Sequence, residues 1–92
     1  MKMISNFMQA PSAPLSELKE GARGVLREMN LAPKLTERLM NLGFLPGVEI
    51  LVAGSGPGGD PRIYRVDGAE IALRAEVARR IVVRLTDRRA EA

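Results

Sequence analysis

Three glycines, Gly54, Gly56 and Gly59, fall at the G-x-G-x-x-G spacing that lets a backbone approach a pyrophosphate. That chemistry needs a helix N-terminus directly after the glycines, to receive the phosphate charge. Here Asp60-Pro61 and a strand-like segment follow, and 92 residues are too few for a full dinucleotide fold. The spacing is read as coincidence. The inventory removes other chemistries. With no Cys there is neither a disulfide nor a thiolate ligand, and with no His the commonest neutral-pH acid–base catalyst and metal ligand is missing. The carboxylates are scattered, and no pair has a ligand spacing on one element. No catalytic, cofactor-binding or metal-ligating residue is assigned, and no cofactor is expected.

Charge placement says more than the net value of +3. Acids and bases cancel over residues 1–73, and the excess sits in the last nineteen residues. There Arg74, Arg79, Arg80, Arg84, Arg88 and Arg89 face Glu76, Asp87 and Glu91. That balance suits an acidic partner, such as nucleic acid, an anionic membrane surface or an acidic protein face, or else a solvated end. No apolar run approaches the roughly 20 residues that span a bilayer. Ser5, Asn6 and Gln9 interrupt any signal-peptide core. The expectation is a cytoplasmic protein.

The element around which the rest is arranged is Leu39-Met40-Asn41-Leu42-Gly43-Phe44-Leu45-Pro46-Gly47. Pro33 suits the first turn of a helix, and Leu31, Leu35, Leu39 and Leu42 form one apolar stripe expected to face the core. Gly43 suits a helix-ending residue at positive φ, which would bring Phe44 back onto Leu39. Pro46-Gly47 then suits a type II turn into a strand from Val48. The helix is expected over about 33–42.

Residues 1–14 read as a flexible tail, broken by Pro11 and Pro14. A helical turn at 15–18 and a strand at 23–29 follow, the latter with no clear inward face. A second strand is expected at 48–54, with Val48, Ile50 and Val52 on one face. Asp67-Gly68 is a type I′ hairpin signal between strands at 62–66 and 69–74. It pairs Val66 with Ala69, Tyr64 with Ile71 and Arg62 with Leu73. Tyr64, Val66, Ala69, Ile71 and Leu73 then share the core face, and Arg65 meets Glu70 outside. A helical turn at 75–78, a fifth strand at 81–85 and a charged tail at 86–92 complete the chain. The fold class is mainly β: a small SH3-like, partly open five-stranded barrel with one short α-helix, spanning 15–85.

Three apolar side chains are left over from this arrangement. Met40 lies off the helical stripe, Leu45 lies in the turn, and Leu51 points away from the core face of its strand. Together with Arg74, Arg79 and Arg80 they are the candidate partner-binding residues. The alternative is that the three apolar residues cover an open end of the barrel.

The combination Arg38-Leu39-x-x-Leu42-Gly43-Phe44-x-Pro46-Gly47, Gly59-Asp60-Pro61, Val66-x-Gly68 and Ala72-Leu73-Arg74 resembles the FeoA family, the ferrous iron transport protein A domains. The resemblance covers Leu15 to Leu85. One departure is Gly58, where the family often carries Leu. The resemblance implies a small cytosolic SH3-like protein that serves as an accessory or regulatory binder of a FeoB-type membrane transporter with a cytosolic GTPase domain. The same fold resembles the C-terminal domain of iron-dependent repressors. The donor set argues against an iron carrier, because Fe²⁺ takes imidazole, thiolate or clustered carboxylates.

A non-enzymatic docking module for the transporter is therefore the leading reading, at the membrane's inner face through its partner. A nucleic-acid-binding barrel is the alternative. It would need exposed aromatics for stacking, and only Phe7, Phe44 and Tyr64 exist. An enzyme lacks a P-loop or catalytic pair, and self-association is the remaining class.

Overall fold

A computed structural model of the chain describes residues 11–86. They build one antiparallel sheet of six strands, β1 (Ser12–Pro14), β2 (Arg23–Met29), β3 (Glu49–Ser55), β4 (Arg62–Val66), β5 (Ala69–Leu73) and β6 (Ile81–Leu85). The spatial order is β1-β6-β2-β3-β4-β5, and among the described residues β1 and β5 end the sheet. Helix α1 (Pro33–Asn41) joins β2 to β3, and a one-turn helix α2 (Ala75–Ala78) joins β5 to β6.

The fold is the expected SH3-like class with one correction to the strand count. Ser12, Ala13 and Pro14 pair with Arg84, Val83 and Val82 of β6, so these three residues belong to the sheet and not to a tail. Pro14 is tolerated because an edge strand need not use every backbone N–H. The expected tail segments 1–10 and 87–92 lie outside the described residues.

The sheet curls around a core of Leu15, Leu26, Phe44, Ile50, Val52, Tyr64, Val66, Ile81 and Val83, all buried. Period-two alternation places Ile50 and Val52 inward from β3 and Tyr64 and Val66 inward from β4. The ambiguous face of β2 has a local cause. The register with β6 shifts between Leu26 and Glu28, so Arg27 is an extra residue. Leu26 and Met29, three positions apart, therefore both reach the core, and neither simple alternation describes the strand. Where β2 runs beside β6, Gly24 is buried against Val83, whose Cγ2 would lie 2.8 Å from an added Cβ.

The β4–β5 hairpin has the expected register, Val66 to Ala69, Tyr64 to Ile71 and Arg62 to Leu73. Asp67 and Gly68 have φ of +51° and +84°, as a type I′ turn requires. Ile71 packs against the core partly buried, as expected, but Ala69 is exposed, which corrects its assignment to the core face.

Candidate functional site

The end of α1 is held by backbone geometry. The Gly43 N–H donates to the Met40 carbonyl at 3.0 Å, and the Phe44 N–H donates to the Leu39 carbonyl at 3.0 Å. This is the Schellman pattern, with Gly43 at φ +112°. The Val48 N–H then donates to the Leu45 carbonyl at 2.9 Å, closing the Pro46-Gly47 turn with Gly47 at φ +93°. Two further bonds fasten the turn to β2: Gly47 N–H to the Leu26 carbonyl at 2.8 Å and Leu26 N–H to the Val48 carbonyl at 2.9 Å. The helix end is a fixed platform.

That platform carries an apolar surface. Met40, Leu42 and Leu45 are 39%, 48% and 47% exposed, and they are the large exposed hydrophobic residues among those described. Isolated exposed leucines need no explanation; these three fall within six residues of one turn. Leu42 corrects the sequence expectation, which put it in the core. Leu39 is buried and Leu31 and Leu35 are half-buried, but the stripe ends there. The helix stops at Asn41, and Phe44 folds back onto Leu39, taking the core position that one more turn of helix would have given to Leu42. The signal was present: a C-cap residue just before a Schellman glycine lies outside the last regular turn.

The other candidate residues lie elsewhere. Leu51 is half-buried on the outer face of the sheet, between Arg23 of β2 and Arg65 of β4 in the pairing register. It shares a shallow groove with Glu49 and Asp67, which Met40 and Leu45 do not line. Arg74 precedes α2, while Arg79 and Arg80 follow it, all exposed. The Asn30 N–H donates to the Arg80 carbonyl at 2.8 Å. Arg80 is thereby tied to the approach to α1.

The glycine loop is committed to structure. The Gly56 N–H donates to the Pro61 carbonyl at 2.7 Å and the Gly59 N–H to the Gly56 carbonyl at 2.9 Å. Those donors are not aimed at a phosphate, and β4 follows where a phosphate-binding helix would start. Asp60 Oδ1 accepts from the Ala75 N–H at 3.0 Å, satisfying the first donor of α2. Arg62 Nη1 donates to the Leu18 carbonyl at 2.5 Å, fastening β4 to the N-terminal turn.

The electrostatics are those of a scaffold. Arg65 and Glu70 make an ion pair at 2.6 Å with both side chains about half exposed, worth at most about 1 kcal/mol. Burial pushes the Tyr64 phenol above its ordinary value near 10, with Arg62 opposing and Asp60 adding to the rise. Its hydroxyl is buried without a hydrogen-bond partner among the described residues. Among the described residues no three acidic side chains come together as a metal site. Phe44 and Tyr64 are fully buried, so neither offers a base a stacking surface. No helix among the described residues is long and apolar enough to cross a membrane.

Comparison with known proteins gives a consistent result. The FeoA domain family model matches residues 13–85. No curated protein sequence matches the chain. The solution structure of the FeoA protein from Chlorobium tepidum is 33% identical with a TM-score of 0.75, over 78% of this chain and 69% of that one. The crystal structure of Stenotrophomonas maltophilia FeoA complexed with zinc is 36% identical with a TM-score of 0.65, over 75% and 86% of the two chains. That protein is described as an SH3 domain protein proposed to act as a ferrous iron transport activating factor. A manganese-dependent transcriptional repressor is 16% identical with a TM-score of 0.74, over 85% of this chain and 44% of that one. At that identity the likeness is one of fold.

Proposed function

The chain belongs to the FeoA domain family, and from that premise we propose that it is a non-enzymatic accessory module of ferrous iron transport, docking on the cytosolic side of a FeoB-type transporter. The observation that carries the reading is the apolar surface of Met40, Leu42 and Leu45 on a turn held by backbone bonds at both ends. A preorganised apolar patch binds without first ordering itself, which lowers the entropic cost of association. Met suits it because an unbranched thioether adapts to a partner surface. Leu51, on the other face of the sheet, is set apart from this patch. In this reading Arg79 and the neighbouring Arg80, whose carbonyl accepts from Asn30 ahead of α1, steer an acidic partner surface.

The family's association with iron transport does not make this chain an iron carrier. It has no imidazole or thiolate donor, and among the described residues no three acidic side chains come together. The role that fits is contact with the protein that moves the ion. The test is retention of the purified chain by membranes containing the transporter, with and without guanine nucleotide. Saturable retention that needs the transporter supports the proposal, and equal retention by membranes lacking it overturns it.

A further inference from the structure

A second apolar surface lies far along the chain from α1, where both ends of the described chain emerge. It is a cleft of about 280 Å³ lined by Ala13, Leu18, Ala22 and Leu85, with the exposed Glu17, Lys19 and Arg23 at its rim. The Leu85 N–H donates to the Pro11 carbonyl at 2.9 Å. The chain preceding Pro11 therefore enters the domain at the residue that forms one wall of the cleft. The chain following Thr86 leaves from the same wall.

We infer that the cleft is the docking site of this chain's own N-terminal segment, with Ile4, Phe7 and Met8 as the side chains that fill it. Two segments start at the cleft, and their compositions differ. Residues 87–92 are Asp-Arg-Arg-Ala-Glu-Ala, with no large apolar side chain. Among residues 1–8, Met1, Met3, Ile4, Phe7 and Met8 are apolar. Phe7 is four residues from Pro11, and at about 3.3 Å per residue it reaches any part of so small a cleft. An intramolecular ligand on so short a tether acts at an effective concentration in the millimolar range, so weak contacts suffice. Methionine at three of these five positions suits a shallow cleft, because the side chain conforms to it. The segment also separates two functions: the cleft is covered from within while the α1 surface stays free for a partner.

The chain has no cysteine, so Ser5→Cys allows a single spin label in the full-length protein. The readout is loss of amide signal at Leu18 and Ala22 in dilute solution, compared with the same sample after the label is reduced. Docking predicts loss of more than half the signal at both. It also predicts recovery when Ile4→Ser and Phe7→Ser are added, with the amide spectrum of α1 and β3 unchanged as the control for folding. No loss at these amides overturns the inference. So does loss that the serine pair leaves unchanged, since tethering alone would then explain it. Loss seen only when spin-labelled protein is mixed with isotope-labelled protein would assign the cleft to a second copy and likewise overturn it.

Discussion

The Phe44 amide donates to the Leu39 carbonyl at 3.0 Å, and both side chains are buried in the core. This one contact ends α1, turns the chain and leaves Met40, Leu42 and Leu45 outside. It depends on Gly43 at φ +112°, a conformation that a β-branched residue resists. Gly43→Val should cost several kcal/mol. An added Cβ would stand 3.6 Å from Val66 Cγ1, an ordinary contact, so the penalty arises from the backbone. A thermal midpoint unchanged within error would refute this account of the helix end.

The hairpin and the helix end were legible in the sequence because their signals are local. Asp67-Gly68 determines which residues of β4 and β5 oppose one another, and Gly43 with Phe44 determines a cap within six residues. The first strand was not legible. Ser12-Ala13-Pro14 has little strand character, and its partner Val82–Arg84 is some seventy positions away. The bulge at Arg27 hid the inward face of β2, because one extra residue breaks the two-residue period. Leu42 misled because a helical stripe carries no mark of where the helix stops. Leu51 was correctly placed off the core face, but alternation says nothing of how far it lies from Met40.

Tyr64 makes a separate prediction. Its buried hydroxyl has no partner among the described residues, so Tyr64→Phe should leave stability unchanged or raise it by up to about 1–2 kcal/mol. A loss above 2 kcal/mol would reveal a hydrogen bond on which the fold relies.

The same residue sets a limit at high pH. Its folded pKa is raised by burial, so the folded state holds its proton more tightly than the unfolded state does. That contribution is fully present below about pH 10 and is lost as pH rises through the raised value. Tyr64 is the only Tyr and there is no Trp, so phenolate absorbance reports it directly. The folded protein should titrate above 10, and Tyr64→Phe should flatten the fall of stability beyond that pH. Ionisation at or below 10 in the folded protein would contradict the burial.

Calorimetric titration with Fe²⁺ near neutral pH, under reducing anaerobic conditions, should give no stoichiometric tight binding. Dispersed carboxylates without imidazole or thiolate make a poor site for this ion. A one-to-one isotherm with submicromolar affinity would contradict the reading of the chain as a binder of protein and not of metal.

Removal of residues 87–92 should leave the domain folded, since β6 closes on β1 and β2 by Leu85. It also removes Arg88 and Arg89. If these steer association with an acidic surface, the on-rate should fall severalfold at low salt and lose part of its salt dependence. Identical on-rates for both proteins at low and high salt would assign these arginines no part in the encounter.

The central claim is that the exposed end of α1 is a binding surface and not a part of the core. Replacing Met40 and Leu45 together by Ser, and measuring thermal stability alongside affinity for transporter-containing membranes, separates the two roles. Both side chains are partly solvated, at 39% and 47% exposed, so the midpoint should move by only a few degrees, while affinity should fall at least tenfold. Full affinity in a folded double variant, or loss of binding only in step with loss of stability, would contradict the claim.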